Sequence, residues 1–304
     1  MRHFLTILDH DSDTLRRLLG EAARLKAEVA RGQFADTLRH KLVALVFEKP
    51  SLRTRVSFEA GVAQLGGSSL FQAGSEVGLG VRESVADFAR TMSQYVDGIV
   101  LRVFKHSTVE GVAKHAAVPV INGLSDTSHP CQAMADLLTL RECCGDEKGK
   151  TIAFVGDGNN VARSLAVLCG KLGVRFVLAR PDGFGFPREF INNYTKHVRP
   201  KMPDEFADPA AAVKKADVIY TDVWTSMGQE AEREARLKQF APYQVNAALL
   251  KKAPKHVKVF HCLPAHRGEE ITDDVMEGKA SVVFQQAGNR MHAQKAVLEW
   301  LLKG

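Results

Sequence analysis

Apolar residues along this chain arrive in two patterns. Short runs dominated by apolar residues at 42–47, 98–103, 118–122, 151–155, 176–179, 217–221, 258–260 and 281–284 predict buried strands. Between them the apolar positions recur at helical spacing. Leu15, Leu18, Leu19, Ala22, Leu25 and Val29 predict a helix over 12–31, and Phe58, Val62 and Leu65 one from Ser51 to the Gly66-Gly67 pair. Val85, Phe88, Met92 and Tyr95 predict another, followed by helices at 108–116, from Pro130 through Leu140, at 210–215, after Val161 and at 293–302. A short strand is expected at 68–71. Residues 72–81, with Gly74, Gly78 and Gly80, read as a mobile polar loop. Strands alternating with helices predict an α/β fold of doubly wound parallel sheets. The charged stretch 141–150 reads as a linker between two domains.

Composition narrows this picture. A length of 304 residues is enough for two domains with separate cores, and 45% hydrophobic with 25% charged residues is a globular balance. No stretch approaches the roughly 18 apolar residues of a membrane span. Met1-Arg2-His3-Phe4-Leu5-Thr6 runs straight into acidic residues without an apolar export segment, so a cytoplasmic location is expected. Five irregularly spaced cysteines argue against a disulfide framework. The net charge of +6 is not gathered into a basic stripe with interleaved aromatics, so no nucleic-acid partner is expected; a small anionic substrate fits it.

The candidate chemistry sits where strands end and helices begin. Ser51-Leu52-Arg53-Thr54-Arg55 opens a helix directly after the 42–47 strand. A helix N-terminus offers unpaired N–H groups and partial positive charge, and two hydroxyls with a guanidinium added to it make a phosphate cradle. Arg102 lies at the carboxyl end of a strand, where open α/β sheets bind ligands. His129 and Gln132 flank Pro130 at a helix start and can hydrogen-bond a carbonyl and an amide. Gly156-Asp157-Gly158 approaches a dinucleotide fingerprint, but Val161 stands where the third glycine belongs; Asn159-Asn160 instead offers amides to a carboxylate. Asp222, before Ser226-Met227-Gly228, can hold an ammonium group. His261, Cys262 and His266 do not make a convincing tetrahedral metal set, so no metal is expected.

In order and spacing, four of these motifs resemble the aspartate/ornithine carbamoyltransferase family over essentially the whole chain: Ser51 to Arg55, His129-Pro130-Cys131-Gln132, Asp222 with Ser226-Met227-Gly228, and His261-Cys262-Leu263-Pro264. Cys262 and Ser226-Met227-Gly228 resemble its ornithine branch. The resemblance implies transfer of the carbamoyl group of carbamoyl phosphate to the side-chain amine of L-ornithine, giving citrulline and phosphate in arginine biosynthesis, without a cofactor. It implies a carbamoyl phosphate-binding domain at 1–145 with a C-terminal helix at 288–304 packing back on it, and an ornithine-binding domain at 146–287. Ser51, Leu52, Arg53, Thr54, Arg102, His129, Gln132, Cys262, Leu263 and Arg290 would then meet carbamoyl phosphate, with Arg102, His129 and Cys262 at the reacting groups. Leu124, Asn160, Asp222, Ser226 and Met227 would meet ornithine, and Arg55 would be structural. A homotrimer, or an assembly of trimers, is implied as well. Gly78 departs from the family, which resembles Gln-hydrophobic-Gly there with the glutamine reaching a neighbouring subunit's carbamoyl phosphate. Other acceptors such as N-acetylornithine or putrescine, a non-catalytic carbamoyl phosphate binder, and a dinucleotide-dependent oxidoreductase are the competing readings.

Overall fold

The computed structural model describes residues 1–225 and 230–303. The chain divides into two compact units, residues 1–138 with 288–304, and residues 139–287. The first carries α1 (Ser12–Ala30), β1 (Leu42–Phe47), α2 (Leu52–Gln64), β2 (Ser68–Ala73), α3 (Gly74–Val77) and α4 (Val85–Met92). It continues with β3 (Gly98–Arg102), α5 (His106–His115), β4 (Val120–Leu124) and the start of α6 (Pro130–Cys144). The second holds β5 (Thr151–Val155), α7 (Asn160–Leu172), β6 (Arg175–Ala179), α8 (Arg188–His197), β7 (Asp204–Phe206) and α9 (Pro209–Val213). Then come β8 (Val218–Thr221), α10 (Arg233–Phe240), α11 (Ala247–Leu250), β9 (Lys258–His261), α12 (Asp273–Met276) and α13 (Val283–Leu302), whose later turns belong to the first unit.

Each unit is built on a parallel sheet, ordered β2-β1-β3-β4 in the first and β7-β6-β5-β8-β9 in the second. Every residue of β3 and β5 is buried, as a strand covered by helices on both faces requires, and this is why they read as short apolar runs. The strand order reverses between β1 and β3, and again between β5 and β8. Phe47 and Arg102 are paired at the first reversal, Val155 and Thr221 at the second. Chain segments leaving neighbouring strands on opposite sides open a crevice at such a point.

Several boundaries differ from the expected ones. The apolar residues 281–284 do not form a strand: Ser281 makes a single bridge with Val259, and α13 begins at Val283, which packs into the second core. A short apolar run looks the same whether it is a strand or the buried start of a helix. The final helix therefore opens before Gly288, and Arg290 lies in its interior. The expected loop at 72–81 contains the end of β2 and the turn α3. The charged stretch after Leu140 is still helical to Cys144, and the two compact units meet at 138/139, inside α6. Edge strand β7, three residues that include Asp204 and Glu205, has too little apolar pattern to be foreseen.

Within the first unit, α13 is tied to the N-terminal helices by Lys26 Nζ donating to Asn289 Oδ1 at 2.7 Å, Lys295 Nζ to Gln64 Oε1 at 3.0 Å, and Arg24 to Glu299 at 3.0 Å. These contacts bring Arg290 to a sheet that lies far from it in sequence.

Candidate functional site

In the first unit, Ser51 stops β1's chain from continuing straight: its extended backbone, φ −162° and ψ 101°, makes it the N-cap of α2, and its hydroxyl accepts from Thr54 N at 3.3 Å. Ser51 Oγ also donates to Thr54 Oγ1 at 3.0 Å. Thr54 is fully buried, and its hydroxyl is a meeting point. Arg290 Nη2 donates to it at 2.8 Å and Arg102 Nη1 approaches at 3.4 Å. Two guanidiniums from distant parts of the sequence thus converge, buried, on the first turn of a helix whose N–H groups point the same way. Like charges held together out of water call for an anion between them.

His129 stands beside this charge, just ahead of α6. Burial, and then the positive charges of Arg290 and Arg102, hold its pKa well below the ordinary 6.5, so its imidazole is neutral at neutral pH. Gln132, in the first turn of α6, donates from Nε2 to Asp136 Oδ1 at 2.8 Å. Its carbonyl oxygen is buried and accepts no hydrogen bond from the described residues. Asp136 escaped the sequence reading, although its i+4 spacing from Gln132 is a helical signal. Leu124 ends β4 opposite Arg102, where the register slips by one residue. Arg53 is half-buried and Leu52 exposed. Arg55 turns away to pair with Glu59 at 2.9 Å and to stack 3.9 Å over the Phe71 ring, in keeping with a structural part.

The second unit gathers its own cluster at the β5/β8 reversal. Asp222, just past β8, is buried, and both of its oxygens are held. Oδ1 accepts from Cys262 Sγ at 2.9 Å and from Val223 N at 2.8 Å, and Oδ2 accepts from Asn159 Nδ2 at 2.9 Å. Asn159 therefore reaches the Asp222 carboxylate, while its own Oδ1 caps α7 by accepting from Val161 N and Ala162 N, each at 3.0 Å. Asn160 is half-buried and its Oδ1 accepts from Val161 N at 3.0 Å. Ser226 and Met227, expected to meet an amino acid, lie outside the described residues, as do Gly228 and Gln229.

Arg236 of α10, which nothing in the sequence pattern marked, donates to Trp224 O and pairs with Asp157, tying the segment after β8 to the one after β5. The pKa of Asp157 is nonetheless raised from its ordinary value, because burial, helped by Asp222, outweighs Arg236 and Arg163. Cys262 follows β9, and Leu263 adopts φ 58° beyond it. The ligand atoms of Asp222, His261 and Cys262 lie within 4.8 Å of one another. His261 is nevertheless committed: Nδ1 accepts from Leu263 N at 2.9 Å, which leaves the proton on Nε2 to face Glu270 at 3.0 Å. Neither ring nitrogen is left for a metal. A dinucleotide fits no better. Gly158 N already donates to Phe184 O at 2.9 Å, and a pyrophosphate would need the glycine backbone that the 184–186 segment covers.

Residues 2–142 match the aspartate/ornithine carbamoyltransferase carbamoyl-P binding domain, and residues 148–301 the aspartate/ornithine carbamoyltransferase Asp/Orn binding domain. An ornithine carbamoyltransferase of Archaeoglobus fulgidus is 52% identical over 303 residues, spanning 99% of this chain and 98% of the relative. One from Bacillus subtilis is 49% identical over 303 residues, 99% and 94% of the two chains. The solved structure of ornithine carbamoyltransferase from Pyrococcus furiosus superposes with a TM-score of 0.96 at 48% identity, covering 100% of this chain and 97% of the other. With the motifs at both sheet reversals and matches that run nearly end to end, the chain belongs to the aspartate/ornithine carbamoyltransferase family.

Proposed function

We propose that the protein transfers the carbamoyl group of carbamoyl phosphate to the δ-amine of L-ornithine. The amine nitrogen forms a bond to the carbonyl carbon, the carbon–oxygen bond to phosphate breaks, and the nitrogen loses a proton. The observation that carries this reading is the convergence of Arg102 and Arg290 on Thr54 at the N-terminus of α2, beside a neutral His129. Phosphate is a good leaving group, so the reaction needs the leaving dianion held, the carbonyl polarised and the amine oriented. Ser51, Arg53, Thr54 and the backbone N–H of Leu52 hold the phosphate, and Arg290 contacts the carbamoyl phosphate. Arg102 bridges phosphate and carbonyl oxygen. A neutral imidazole at His129 donates a hydrogen bond to that oxygen without protonating it. Gln132 Oε1, buried with acceptor capacity to spare, takes a hydrogen from the carbamoyl amide, as does the carbonyl of Leu263.

In the second unit Asp222 and Ser226 take ornithine's α-ammonium, and Asn160 with the backbone at Met227 takes its α-carboxylate. Leu124 and Cys262 line the course of the attacking amine; Cys262 donates its thiol hydrogen to Asp222, so the amine's proton can pass to the sulfur as the thiol's own proton moves to the carboxylate. The relatives' names, one of them an anabolic ornithine carbamoyltransferase, favour a biosynthetic role in making arginine. Among the described residues no helix is long and apolar enough to cross a membrane, and the proposed location is the cytoplasm. The proposed assembly is a homotrimer or a multiple of it, in which Gly78 does not supply the side chain that other family members extend to a neighbour.

Steady-state citrulline formation tests the reading, with N-acetylornithine and putrescine run beside ornithine. Asp222 has no charge to hold on an acetylated amine, and putrescine offers no carboxylate to Asn160, so ornithine is expected to be preferred. Arg53→Ala is expected to lower kcat/KM more than tenfold; a smaller loss, below about 1.4 kcal/mol, would mean that the phosphate sits elsewhere.

A further inference from the structure

Two cysteines outside the site stand side by side at the carboxyl end of α6. Cys143 and Cys144 are both half-buried, and their sulfurs are 3.5 Å apart and hydrogen-bonded. Lys150 and Lys258 act on Cys144 from the surrounding second unit, as does Asp217, which also faces Lys150 at 3.7 Å and His256 at 3.2 Å. The other cysteines differ: Cys131 and Cys169 are fully buried, and Cys262 is occupied with Asp222.

Two sulfurs at this separation have a definite coordination preference. With bonds of about 2.3 Å, the zinc–thiolate length, a 3.5 Å bite closes an angle of about 100° at the central atom. A linear two-coordinate ion would need its sulfurs ~4.6 Å apart on the same bond length, and a tetrahedral metal would need further ligands. Among the described residues no third histidine, cysteine or carboxylate joins the pair closely enough to hold a metal. An angle near 100° suits a pyramidal three-coordinate centre, whose third position is filled by its own substituent. We propose that Cys143 and Cys144 form a dithiol site that binds trivalent arsenicals of the arsenoxide class as a two-sulfur chelate.

The chemistry balances without an oxidant. Two arsenic–sulfur bonds form, the arsenic–oxygen double bond breaks, and the two thiol protons leave with that oxygen as water; arsenic stays trivalent. Attack begins from the thiolate. The hydrogen bond from Cys143 and the two lysines lower the pKa of Cys144 from its ordinary value, against burial and Asp217, and that of Cys143 is raised. Cys144 is therefore the first sulfur to bond and Cys143 closes the ring. Both residues lie in the last turn of α6, so the ring closes where the helix is already ending.

The test uses the reduced, full-length protein in its native state and phenylarsine oxide as the probe. Intact-mass measurement is expected to show one phenylarsenic group per chain with two reactive thiols lost. The adduct should survive excess glutathione and be released by 2,3-dimercaptopropanol. Cys143→Ser and Cys144→Ser should each weaken binding by about 100-fold or more, the loss of one arm of a chelate, while Cys169→Ser leaves it unchanged. No adduct, an adduct removed by glutathione, or unchanged affinity in either serine variant would overturn the assignment. The thiol count on the unsubstituted protein decides the matter even if a serine variant folds poorly.

Discussion

Thr54→Val is the substitution that isolates the arginine meeting point. Valine has nearly the shape of threonine, so the buried volume beneath α2 is kept. The methyl that would lie 3.5 Å from a side-chain carbon added at Gly123 is kept too, and only the hydroxyl is lost. With it go the 2.8 Å bond from Arg290, the 3.4 Å approach of Arg102 and the 3.0 Å bond from Ser51. A hydrogen bond to a charged group contributes about 1.5 to 3 kcal/mol, and the long Arg102 approach adds little to it. Taking about 2 kcal/mol for the set, kcat/KM for carbamoyl phosphate should fall ~30-fold. Thr54→Ser, which keeps the oxygen, should stay within about threefold, since one methyl group is its only loss. The assay is initial-rate citrulline formation with carbamoyl phosphate varied at saturating ornithine, alongside thermal unfolding with and without inorganic phosphate. If Thr54→Val lowers kcat/KM by less than threefold while remaining folded, the hydroxyl does not organise the arginines and the meeting point is incidental.

Asn159→Ala should raise KM for ornithine while leaving KM for carbamoyl phosphate within twofold, because it removes the 2.9 Å bond that steadies Asp222. Asn159→Ser keeps an α7 cap, worth about 1 kcal/mol, and so separates the stability loss from the kinetic one. His129 titrates below its unfolded value near 6.5, so the unfolded chain binds the proton first on acidification. Its contribution to stability is full above pH 6.5 and declines as pH falls below it, and His129→Gln should flatten that part of a denaturation-versus-pH curve. Turnover at saturating substrates should rise above neutral pH, since the attacking amine, with a reference pKa of about 10.4, must be neutral. A flat rate from pH 6.5 to 9 would show that its proton loss is not limiting.

How much of this was readable beforehand depended on the range over which the responsible forces act. Strands β1, β3 and β5 announce themselves because burial on both faces leaves them almost wholly apolar, the polar residues Arg102 and Thr151 standing only at strand ends. The proposed phosphate cradle is equally local: a capping serine, a first-turn threonine and a strand before them are neighbours in the chain. By contrast, a run such as Ser281 to Phe284 carries too little pattern to distinguish strand from helix, and only its place against Val259 and the second core decides it. Masking by polar composition hid β7 in the same way.

Local sequence determined the two-sheet α/β plan, the positions of the motifs at strand ends, and the chemical kinds of group each motif offers. Tertiary structure decided which of those groups meet. Arg290 reaches Thr54 across 236 positions because α13 docks on the N-terminal helices, and Cys262 reaches Asp222 across 40 because a parallel sheet brings the carboxyl ends of its strands together. Asn159 rather than its neighbour Asn160 holds Asp222, and Arg236 of α10 clamps Asp157, contacts that exist only once the second unit has packed. Hydrophobic patterning acts through burial and is averaged over many residues, so it survives in one dimension. A hydrogen bond depends on a few tenths of an ångström between two atoms, and that precision exists only once both cores have packed.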